Sequence, residues 1–421
     1  MTTTYPRVLA RLFAARRAGI VLGLDRMRAI LAALDHPERR LGAIVHVGGT
    51  NGKGSTAALV AAVARAAGAR VGVYTSPHLA SLRERFTVDG RLADEAAVVE
   101  AHARVAAAGG DDLTFFEQVT AIGLEVLAAA APAVTILEVG LGGRLDATTA
   151  VDAPIAAVTG VALDHQEYLG DTVAAIAVEK AGIWKPGQRA IVGAAGDPVA
   201  QPILIAAARA AGVATLDVVD AAALARAPTT ALAGAHQREN AACADAIVDA
   251  LVALGAIAAP PEVRAAGYAA AVHPGRCEVV ATAPTVLLDG AHNPDGARAL
   301  ANAIAARPER PRALVLAVSA DKDVAAIVAP LVGVVDVVIA SRYDQPRSMA
   351  PPALAAIARA AGALVEIADD LEAAVDRARD AVGLGGLVVI AGSLFAVGEV
   401  RPRFRAMAID PLVVTDPAPA R

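Results

Sequence analysis

Apolar and polar positions along the chain follow two kinds of spacing, which predict helices and buried strands in turn. Apolar residues recur at helical spacing across residues 7–35, and this predicts two helices separated by Gly19 and Gly23. Short continuous apolar runs follow, and they predict strands at 43–47, 70–75, 134–140, 155–160 and 189–193. Alanine-rich stretches between them predict helices at 57–67, 94–108, 117–130 and 172–181. This alternation is typical of an α/β fold with a mostly parallel sheet.

A second stretch of the same alternation begins after His273-Pro274-Gly275-Arg276, which marks the predicted domain junction. Its predicted strands are the apolar runs 286–289, 313–318, 335–340, 363–368 and 386–391. We therefore expect a first domain over residues 1–272 and a smaller Rossmann-like α/β domain over residues 273–421. Polar residues cluster after the strands of both domains, where ligands gather in parallel sheets. The sequence thus predicts an active site in the cleft between the domains.

The stretch from Val47 to Thr56 carries the strongest chemical signal, and it reads VGGTNGKGST between a predicted strand and a predicted helix. Glycines let backbone N–H groups converge on an anion, and the following helix points its dipole at the same place. Lys53 would reach the terminal phosphates of ATP, and Ser55 would offer its hydroxyl to Mg²⁺. The general loop pattern places Ser or Thr at position 54, so Ser55 is one residue late. The alternative is a glycine turn that begins an ordinary helix.

Three further residues fall at or near predicted strand ends. Glu138 lies in an apolar strand, and a buried carboxylate is costly unless it holds a cation, which makes Glu138 a candidate Mg²⁺ ligand. Ser76 and His165 follow strands 70–75 and 155–160, where each could bind metal. The alternatives are a turn serine before Pro77 and a structural histidine. Lys180, taken alone, is an ordinary lysine near a helix end.

Other segments allow two interpretations each. Either Phe115 or Phe116 could stack on a flat ring system, or both could pack in the core. Arg83 and Arg85 lie in a polar stretch that could bind phosphate or carboxylate, or simply be solvated. The turn from Gly23 to Arg26 could face a ligand, or Asp25 could cap a helix. Residues 140–145 are glycine-rich, but Leu145 stands where a dinucleotide fingerprint needs its third glycine, so no nicotinamide site is expected.

Composition excludes several classes of function. The 421 residues are 56% hydrophobic, which is enough for a large core. The net charge is −5, and no face of the chain shows the clustered Lys and Arg that nucleic-acid binding needs. No apolar run is long enough to span a membrane, and residues 1–7 lack the layout of a signal peptide. The two cysteines, Cys243 and Cys277, have no metal-binding spacing and fit either a reducing cytoplasm or a protein indifferent to redox conditions. We therefore expect a cytoplasmic enzyme without a nucleic-acid or membrane partner.

Together these segments resemble the bacterial folylpolyglutamate synthase and dihydrofolate synthase family, within the Mur ligase superfamily of ATP-dependent amide-forming ligases. The resemblance runs in order from about residue 20 to 400, through Val47–Ser55, Tyr74–Leu79, Ile136–Asp146, Leu163–Tyr168, Val178–Trp184, Pro274–Arg276 and Asp289–Pro294. The string LEVGLGGRLDAT at residues 137–148 is specific to the folate branch. One departure is Thr149, where relatives commonly carry Asn.

The resemblance implies a role for each matching residue. ATP would be bound by Gly49, Thr50, Asn51, Gly52, Lys53, Gly54, Ser55, Asn240, Arg276 and Asp289. Two Mg²⁺ ions would be held by Ser55, Ser76, Glu138, His165 and Lys180, the lysine being modified by CO₂ to a carbamate. Lys53, Lys180 and His292 would be catalytic, and Ser393 would help bind glutamate. The pterin substrate would contact Gly23, Leu24, Asp25, Arg26, Thr114, Phe115, Phe116, Glu117, Leu145, Asp146 and Ala147.

The implied enzyme is a monomer that joins L-glutamate to dihydropteroate, and further glutamates to reduced folates, through an acyl phosphate. A cell-wall precursor ligase shares this ATP chemistry but lacks the loop Leu141-Gly-Gly-Arg-Leu-Asp146, and such enzymes usually carry an extra domain. A phosphate-loop switch or motor would hydrolyse ATP without glutamate. A non-catalytic binding module leaves Glu138, His165 and Lys180 near the same strand ends without a role.

Overall fold

The predicted strands form two separate β-sheets in the computed structural model, which describes residues 3–16, 19 and 21–411. The first compact unit contains the chain up to Ala231, residues Gln237–Val272 and the segment from Ile409 onward. The second unit contains Leu232–His236 and His273–Ala408. The predicted boundary after residue 272 is thus one of several places where the chain passes between the units. Residues 1, 2, 17, 18, 20 and 412–421 of the predicted domains lie outside the described residues.

The segment from Ile409 belongs to the first unit because Asp410 is buried there. The Asp410 carboxylate accepts hydrogen bonds from the Tyr5 hydroxyl (3.0 Å to each oxygen), from the Ser81 hydroxyl (2.8 Å) and from the Leu82 backbone N–H (2.7 Å). Its own backbone N–H donates to the carbonyl of Ala80. The sequence prediction placed this segment in the C-terminal domain because no strand pattern marks its return.

The sheet of the first unit has the strand order β4-β3-β2-β5-β1-β6-β7-β8. The strands are β1 Ala43–Gly48, β2 Val71–Tyr74, β3 Phe86–Val88, β4 Arg91–Leu92, β5 Val134–Glu138, β6 Ile155–Val161, β7 Arg189–Gly196 and β8 Thr215–Val218. Strands β2, β5, β1, β6, β7 and β8 are parallel, so their carboxyl ends share one edge. The β3–β4 hairpin is antiparallel, and the apolar pattern did not predict it.

Helices cover both faces of this sheet, and its central strands are therefore buried along their whole length. The helices are α1 Tyr5–Ala15, α2 Asp25–Ala33, α3 Lys53–Ala66, α4 Glu95–Ala107, α5 Phe115–Ala130, α6 Gln166–Leu169, α7 Val173–Ala181, α8 Ala200–Ala210, α9 Ala221–Ala225, α10 Gln237–Ala253 and α11 Pro261–Ala269. One core packs α1, α2, α4 and α5 together near Tyr74 and Phe86. Another packs α7 and α8 against β6 and β7.

The second unit has a sheet of strand order β13-β12-β11-β14-β10-β9. Its strands are β9 Glu278–Thr282, β10 Thr285–Leu288, β11 Arg312–Leu316, β12 Val337–Ala340, β13 Val365–Ile367 and β14 Leu387–Ala391. Its helices are α12 Pro294–Ala305, α13 Val324–Val332, α14 Pro351–Ala360, α15 Leu371–Val382 and α16 Leu394–Val400. Strands β10 to β14 are parallel, as predicted, and only the unpredicted β9 is antiparallel to its neighbour. The fold is therefore α/β with two mostly parallel sheets.

Two remaining features of the described residues are the length of their apolar helices and the burial of the two cysteines. Within ranges 3–16 and 21–411, no helix combines the length and apolar character needed to cross a bilayer. Cys243 and Cys277 are buried free thiols, and burial raises the pKa of Cys243 to about 12. A thiol with such a pKa stays protonated and unreactive at neutral pH.

Candidate active site

The loop between β1 and α3 can form only because glycines occupy two crowded positions. Gly49 and Gly52 have φ angles of +138° and +84°, which side chains rarely adopt. A Cβ atom at Gly49 would overlap the hydroxyl of Thr159, and one at Gly52 would overlap the side-chain oxygen of Asn240. The loop therefore lies directly against β6 and against the first turn of α10. Helix α3 begins at Lys53, four residues before the predicted start.

Hydrogen bonds fasten the loop to the end of β6. The Thr50 backbone N–H donates to the carbonyl of Gly160, and the Thr50 hydroxyl donates to the carbonyl of Ala162 at 3.2 Å. The Thr159 hydroxyl donates to the carbonyl of Asn51 at 2.7 Å. Because these bonds use carbonyls and the Thr50 N–H, they hold the loop before any ligand is bound, which favours a preorganised anion site.

Two lysine amines meet at one carbonyl oxygen of this loop. Lys53 Nζ donates to the carbonyl of Gly49 at 3.1 Å, and Lys180 Nζ donates to the same carbonyl at 3.0 Å. Lys180 is only 4% exposed in the last turn of α7. Its burial, and then the positive charge of Lys53, lower the pKa of Lys180 to about 7, while Asp164 and Asp146 act in the opposite direction. A substantial fraction of Lys180 is therefore the neutral amine near pH 7.

The candidate metal ligands lie around the same strand ends but not in one cluster of side chains. Glu138 is 5% exposed at the end of β5, and its carboxylate accepts the Ser76 backbone N–H at 3.2 Å. The Ser55 hydroxyl is buried and accepts a long hydrogen bond, 3.4 Å, from the Gln237 amide. His165 has a left-handed backbone (φ +50°) and begins α6, with a side chain 41% exposed. No group of three or more His, Cys, Asp or Glu with metal-binding geometry occurs in the described parts of the chain.

The glycine-rich loop after β5 is organised by the carboxylate of Asp146. One oxygen accepts the backbone N–H groups of Gly140 (3.1 Å) and Leu141 (2.9 Å). The other accepts the hydroxyl of Thr148 at 2.6 Å and its backbone N–H at 3.0 Å. Burial raises the pKa of Asp146, and these hydrogen bonds lower it. Asp146 therefore shapes the loop that presents Leu145 and Ala147.

Two residues to which the sequence assigned no role, His46 and Thr149, complete this loop. The buried His46 on β1 places its Nε2 atom 2.7 Å from the Thr148 hydroxyl. The Thr149 hydroxyl donates to the carbonyl of Gly143 at 2.7 Å. Thr149 thus closes the loop through its hydroxyl. A polar residue inside the otherwise apolar run 43–47 was the available signal for His46.

The candidate pterin residues of α2 and α5 are joined by an ion pair. Arg26 contacts the carboxylate of Glu117 through its Nε atom (3.1 Å) and its Nη2 atom (2.9 Å). Glu117 and Thr114 cap the start of α5 reciprocally. Asp25 is the first residue of α2 and makes no capping hydrogen bond, so the interpretation of Asp25 as a helix cap is wrong. Gly23 and Leu24 are partly buried just before it.

The aromatic pair and the nearby arginines differ in burial. Phe115 is fully buried in the core, whereas Phe116 is partly exposed and packs edge-on against Tyr74 at 6.5 Å between ring centroids. Arg85 is 0% exposed, donates to Nδ1 of His78 at 2.9 Å and lies over the Phe115 ring. The interpretation of Arg85 as a solvated residue is therefore wrong, because its buried guanidinium contacts His78 and the Phe115 ring instead of water.

The second unit gathers its own strand-end polar residues. The Asp289 carboxylate after β10 accepts the backbone N–H groups of Cys277 and Ala291, each at 2.8 Å. His292 Nδ1 donates to the carbonyl of Gly290 at 2.8 Å, and Arg276 packs so close to Gly290 that a side chain there would overlap it. Ser393 is buried and caps α16 by accepting the Phe395 backbone N–H at 3.1 Å.

Comparison with known proteins adds a family model and relatives to this geometry. The model described as "Mur ligase, glutamate ligase domain" matches residues 275–394. A protein of Mycobacterium tuberculosis named dihydrofolate synthase/folylpolyglutamate synthase is 34% identical over 438 residues, covering 90% of this chain and 90% of that protein. A probable bifunctional folylpolyglutamate synthase/dihydropteroate synthase of Haloferax volcanii is 36% identical over 425 residues, covering 94% of this chain. The chain spans about half, 50%, of the length of that archaeal relative.

A solved structure resembles the whole fold. It is the bifunctional folylpolyglutamate synthase/dihydrofolate synthase from Yersinia pestis, complexed with AMPPNP and a manganese ion. It superimposes with a TM-score of 0.85 at 32% identity and covers 96% of this chain and 98% of the other. The similarity thus extends over almost the whole of both chains.

Proposed function

Because the chain belongs to the dihydrofolate synthase/folylpolyglutamate synthase family of Mur ligases, we propose that it is an ATP-dependent ligase that adds L-glutamate to dihydropteroate and further glutamates to reduced folates. The observation that carries this proposal is the meeting of Lys53 and Lys180 at the carbonyl of Gly49, beside the loop that Asp146 organises. One loop suits a triphosphate, and the other bears the residues that the family implies for the pterin. A monomer in the cytoplasm is part of the same proposal.

ATP is the substrate that the first loop would bind. The N–H groups of the loop from Gly49 to Ser55, apart from that of Thr50, would surround the phosphates together with the first turn of α3, with Lys53 neutralising charge as the terminal phosphoryl group is transferred. Asn240, in contact range of Gly52, would bind the nucleotide. The family resemblance implies nucleotide contacts for Arg276 and Asp289 as well. His292 would contact phosphate or the amino acid, and Ser393 would help bind glutamate.

The residues present fit divalent cations of the magnesium type. Glu138 supplies a buried carboxylate and Ser55 a buried hydroxyl, and oxygen ligands of this kind are those that Mg²⁺ prefers. Ser76, His165 and a carbamylated Lys180 would complete the ligands of two ions. When bound, Mg²⁺ would neutralise the negative charge of the phosphate oxygens.

Lys180 is suited to carbamylation. The neutral amine attacks the carbon of CO₂, forms an N–C bond and loses one proton, so a cation becomes an anion. The pKa of about 7 makes the neutral amine available. Carbamylation would also replace the repulsion between Lys180 and Lys53 by an attraction. The charge of Lys53 therefore favours the modified form, whereas Asp164 and Asp146 oppose it.

The chemistry follows from the poor leaving ability of hydroxide from a carboxylic acid. Transfer of the γ-phosphoryl group of ATP onto the substrate carboxylate gives an acyl phosphate and ADP. The amine of glutamate then attacks the carbonyl carbon, the C–O bond to phosphate breaks, and an amide and inorganic phosphate remain. Within the proposed pterin site, Phe116 and Leu145 are partly exposed and Arg26 is exposed, and Phe116 offers a ring for stacking.

The proposal is tested by incubating purified protein with ATP, Mg²⁺, L-glutamate and dihydropteroate, and measuring ADP and the mass of the product. We expect ADP release that requires both glutamate and dihydropteroate, with a product heavier by one glutamyl residue. Tetrahydrofolate in place of dihydropteroate tests the second activity. A Lys53→Met variant should abolish both.

Two outcomes would overturn the proposal. One is no ADP above the level of the Lys53→Met variant. The other is ADP release that does not depend on glutamate, which would favour a phosphate-loop switch or motor instead. Light scattering during gel filtration tests the proposed monomer.

A further inference from the structure

The buried imidazole of His46 lies where the phosphate-loop strand meets the loop after β5. His46 is 1% exposed in β1, three residues before Gly49. Its Nε2 atom is 2.7 Å from the Thr148 hydroxyl, which itself lies 2.6 Å from an oxygen of Asp146. A buried imidazole in an apolar strand costs free energy unless it is hydrogen-bonded. The contact with Thr148 is therefore the interaction that accounts for the presence of His46 in β1.

The protons in this chain of contacts can be assigned. Asp146 receives N–H groups from Gly140, Leu141 and Thr148, so its carboxylate is surrounded by donors. The single hydroxyl proton of Thr148 then goes to Asp146, since a carboxylate can only accept. The Thr148 oxygen is left as an acceptor, and the proton between it and the imidazole must be on Nε2 of His46. The order of donation is His46 to Thr148 to Asp146.

We propose that His46 is a positioning residue that, through Thr148, fixes Asp146 and with it the pterin-binding loop of residues 140–147. This inference rests on the proposed function in assigning the pterin to that loop. The effect of His46 on the substrate is indirect, since the imidazole touches Thr148 and not the exposed side of the loop. The same strand continues into Gly49, so one side chain ties the substrate loop to the strand that carries the ATP loop.

The ionisation of His46 agrees with this order of donation. Burial, and secondarily the charge of Lys185, lower the pKa of His46 to about 3. The imidazole therefore stays neutral across the physiological range and keeps a single N–H. A neutral imidazole with one N–H can hold the hydrogen bond to Thr148 in one direction only.

Four variants test the series of hydrogen bonds from His46 through Thr148 to Asp146, which we call the relay. Thr148→Val removes the hydroxyl and keeps the shape, and His46→Leu removes the donor. His46→Gln retains an N–H near the position of Nε2 and should rescue. Thr135→Val is the matched control, because the buried Thr135 hydroxyl donates to the carbonyl of Leu41 at 2.7 Å, at the other end of β5.

Hydrogen–deuterium exchange of peptides spanning residues 138–149 is the first measurement. We expect exchange in this segment to accelerate about fivefold in Thr148→Val and His46→Leu, since losing one hydrogen bond costs about 1 kcal/mol, which is a factor of about five. The same segment should be unchanged in Thr135→Val and nearly so in His46→Gln. Unchanged exchange in Thr148→Val, or equal acceleration in Thr135→Val, would overturn the relay. Should Thr148→Val fail to fold, His46→Leu carries the comparison, and Thr148→Ser, which keeps the hydroxyl, should show wild-type exchange.

Steady-state kinetics is the second measurement and separates positioning from general destabilisation. We expect the KM for dihydropteroate to rise about tenfold in Thr148→Val, with kcat and the KM for ATP changed less than about twofold. Faster exchange with an unchanged KM for dihydropteroate would overturn the positioning role. A wild-type protein that forms no product would defeat the proposed function alone, because the exchange comparison decides the relay without any substrate.

Discussion

The amine of Lys180 lies 3.0 Å from the carbonyl oxygen of Gly49 and is almost completely buried there. This contact places the end of α7 against the first turn of the phosphate loop, 131 residues earlier in the chain. A carbamate retains one N–H on the same nitrogen, so the hydrogen bond to Gly49 can persist after modification. Lys180 can therefore change from cation to anion without releasing the loop.

Replacing Lys180 by Met should remove both the modification and the activity. The sequence contains four lysines, Lys53, Lys180, Lys185 and Lys322, so a carbamate signal after growth or incubation with ¹³C-bicarbonate is readily assigned by NMR. We expect one carbamate signal in the wild type and none in Lys180→Met, with kcat lowered by about a hundredfold or more, since a charge next to the phosphates is lost. Lys185→Met should keep the signal. A signal that survives in Lys180→Met would contradict the assignment.

Replacing Gly52 by Ala should weaken ATP binding more than an equally strained substitution elsewhere. Gly52 and Gly68 have similar φ angles, +84° and +80°, but only Gly52 faces another residue, Asn240. The new methyl group would push Asn240 away from Gln237, to which its amide donates at 2.9 Å. We expect the KM for ATP to rise about tenfold in Gly52→Ala, roughly 1.4 kcal/mol, and to change less than about twofold in Gly68→Ala. Equal effects would show that backbone strain alone is responsible.

The burial of His46 should make the protein sensitive to acid. Its pKa is about 3 when folded, against about 6.5 in the unfolded chain, so between these values the unfolded chain binds more protons. The free energy of unfolding therefore falls as the pH is lowered from 6.5 toward 3, by at most about 1.4 kcal/mol per pH unit from this residue. Urea titrations at several pH values should show a shallower fall in His46→Gln. Parallel curves for the two proteins would contradict the assignment.

Replacing Thr149 by Asn should have little effect on the KM for dihydropteroate. Its hydroxyl donates to the carbonyl of Gly143, so Thr149→Val loses one buried hydrogen bond, worth about 1 kcal/mol of unfolding free energy. Thr149→Asn restores a donor, and we expect its KM for dihydropteroate to stay within about threefold of the wild type. Thermal unfolding and steady-state kinetics of both variants check this. A larger loss in Thr149→Asn than in Thr149→Val would exclude the loop-closing role.

Sequence reasoning predicted those parts of the fold that one-dimensional periodicity encodes. Each predicted strand formed, because parallel strands covered on both faces are continuous apolar runs. The β3–β4 hairpin was not predicted because its strands are short and half exposed, although Asp89-Gly90 at its turn is a hairpin signal. Strand β9 escaped for a similar reason, since it is an edge strand and only partly buried.

The chemistry of single side chains was less accessible from sequence. The lowered pKa of Lys180 arises from burial beneath a loop far away in the chain, and no local pattern reports that. Arg85 occurs in the polar stretch Leu82–Arg85, yet it is buried against His78 and Phe115. His46 is hydrogen-bonded to Thr148, 102 positions later in the chain. Such pairings depend on which strands become neighbours, and the hydrophobic periodicity of the sequence does not reveal the strand order.

The anchoring of Asp410 has a consequence for the order of assembly during synthesis. Tyr5 and Asp410 are 405 residues apart, so the first helix cannot complete its hydrogen bonds until almost all of the described chain has left the ribosome. The second unit, whose last residue precedes Ile409, has by then emerged as one nearly continuous segment. We therefore infer that the first unit, whose synthesis begins before that of the second unit, is the last to complete its folding.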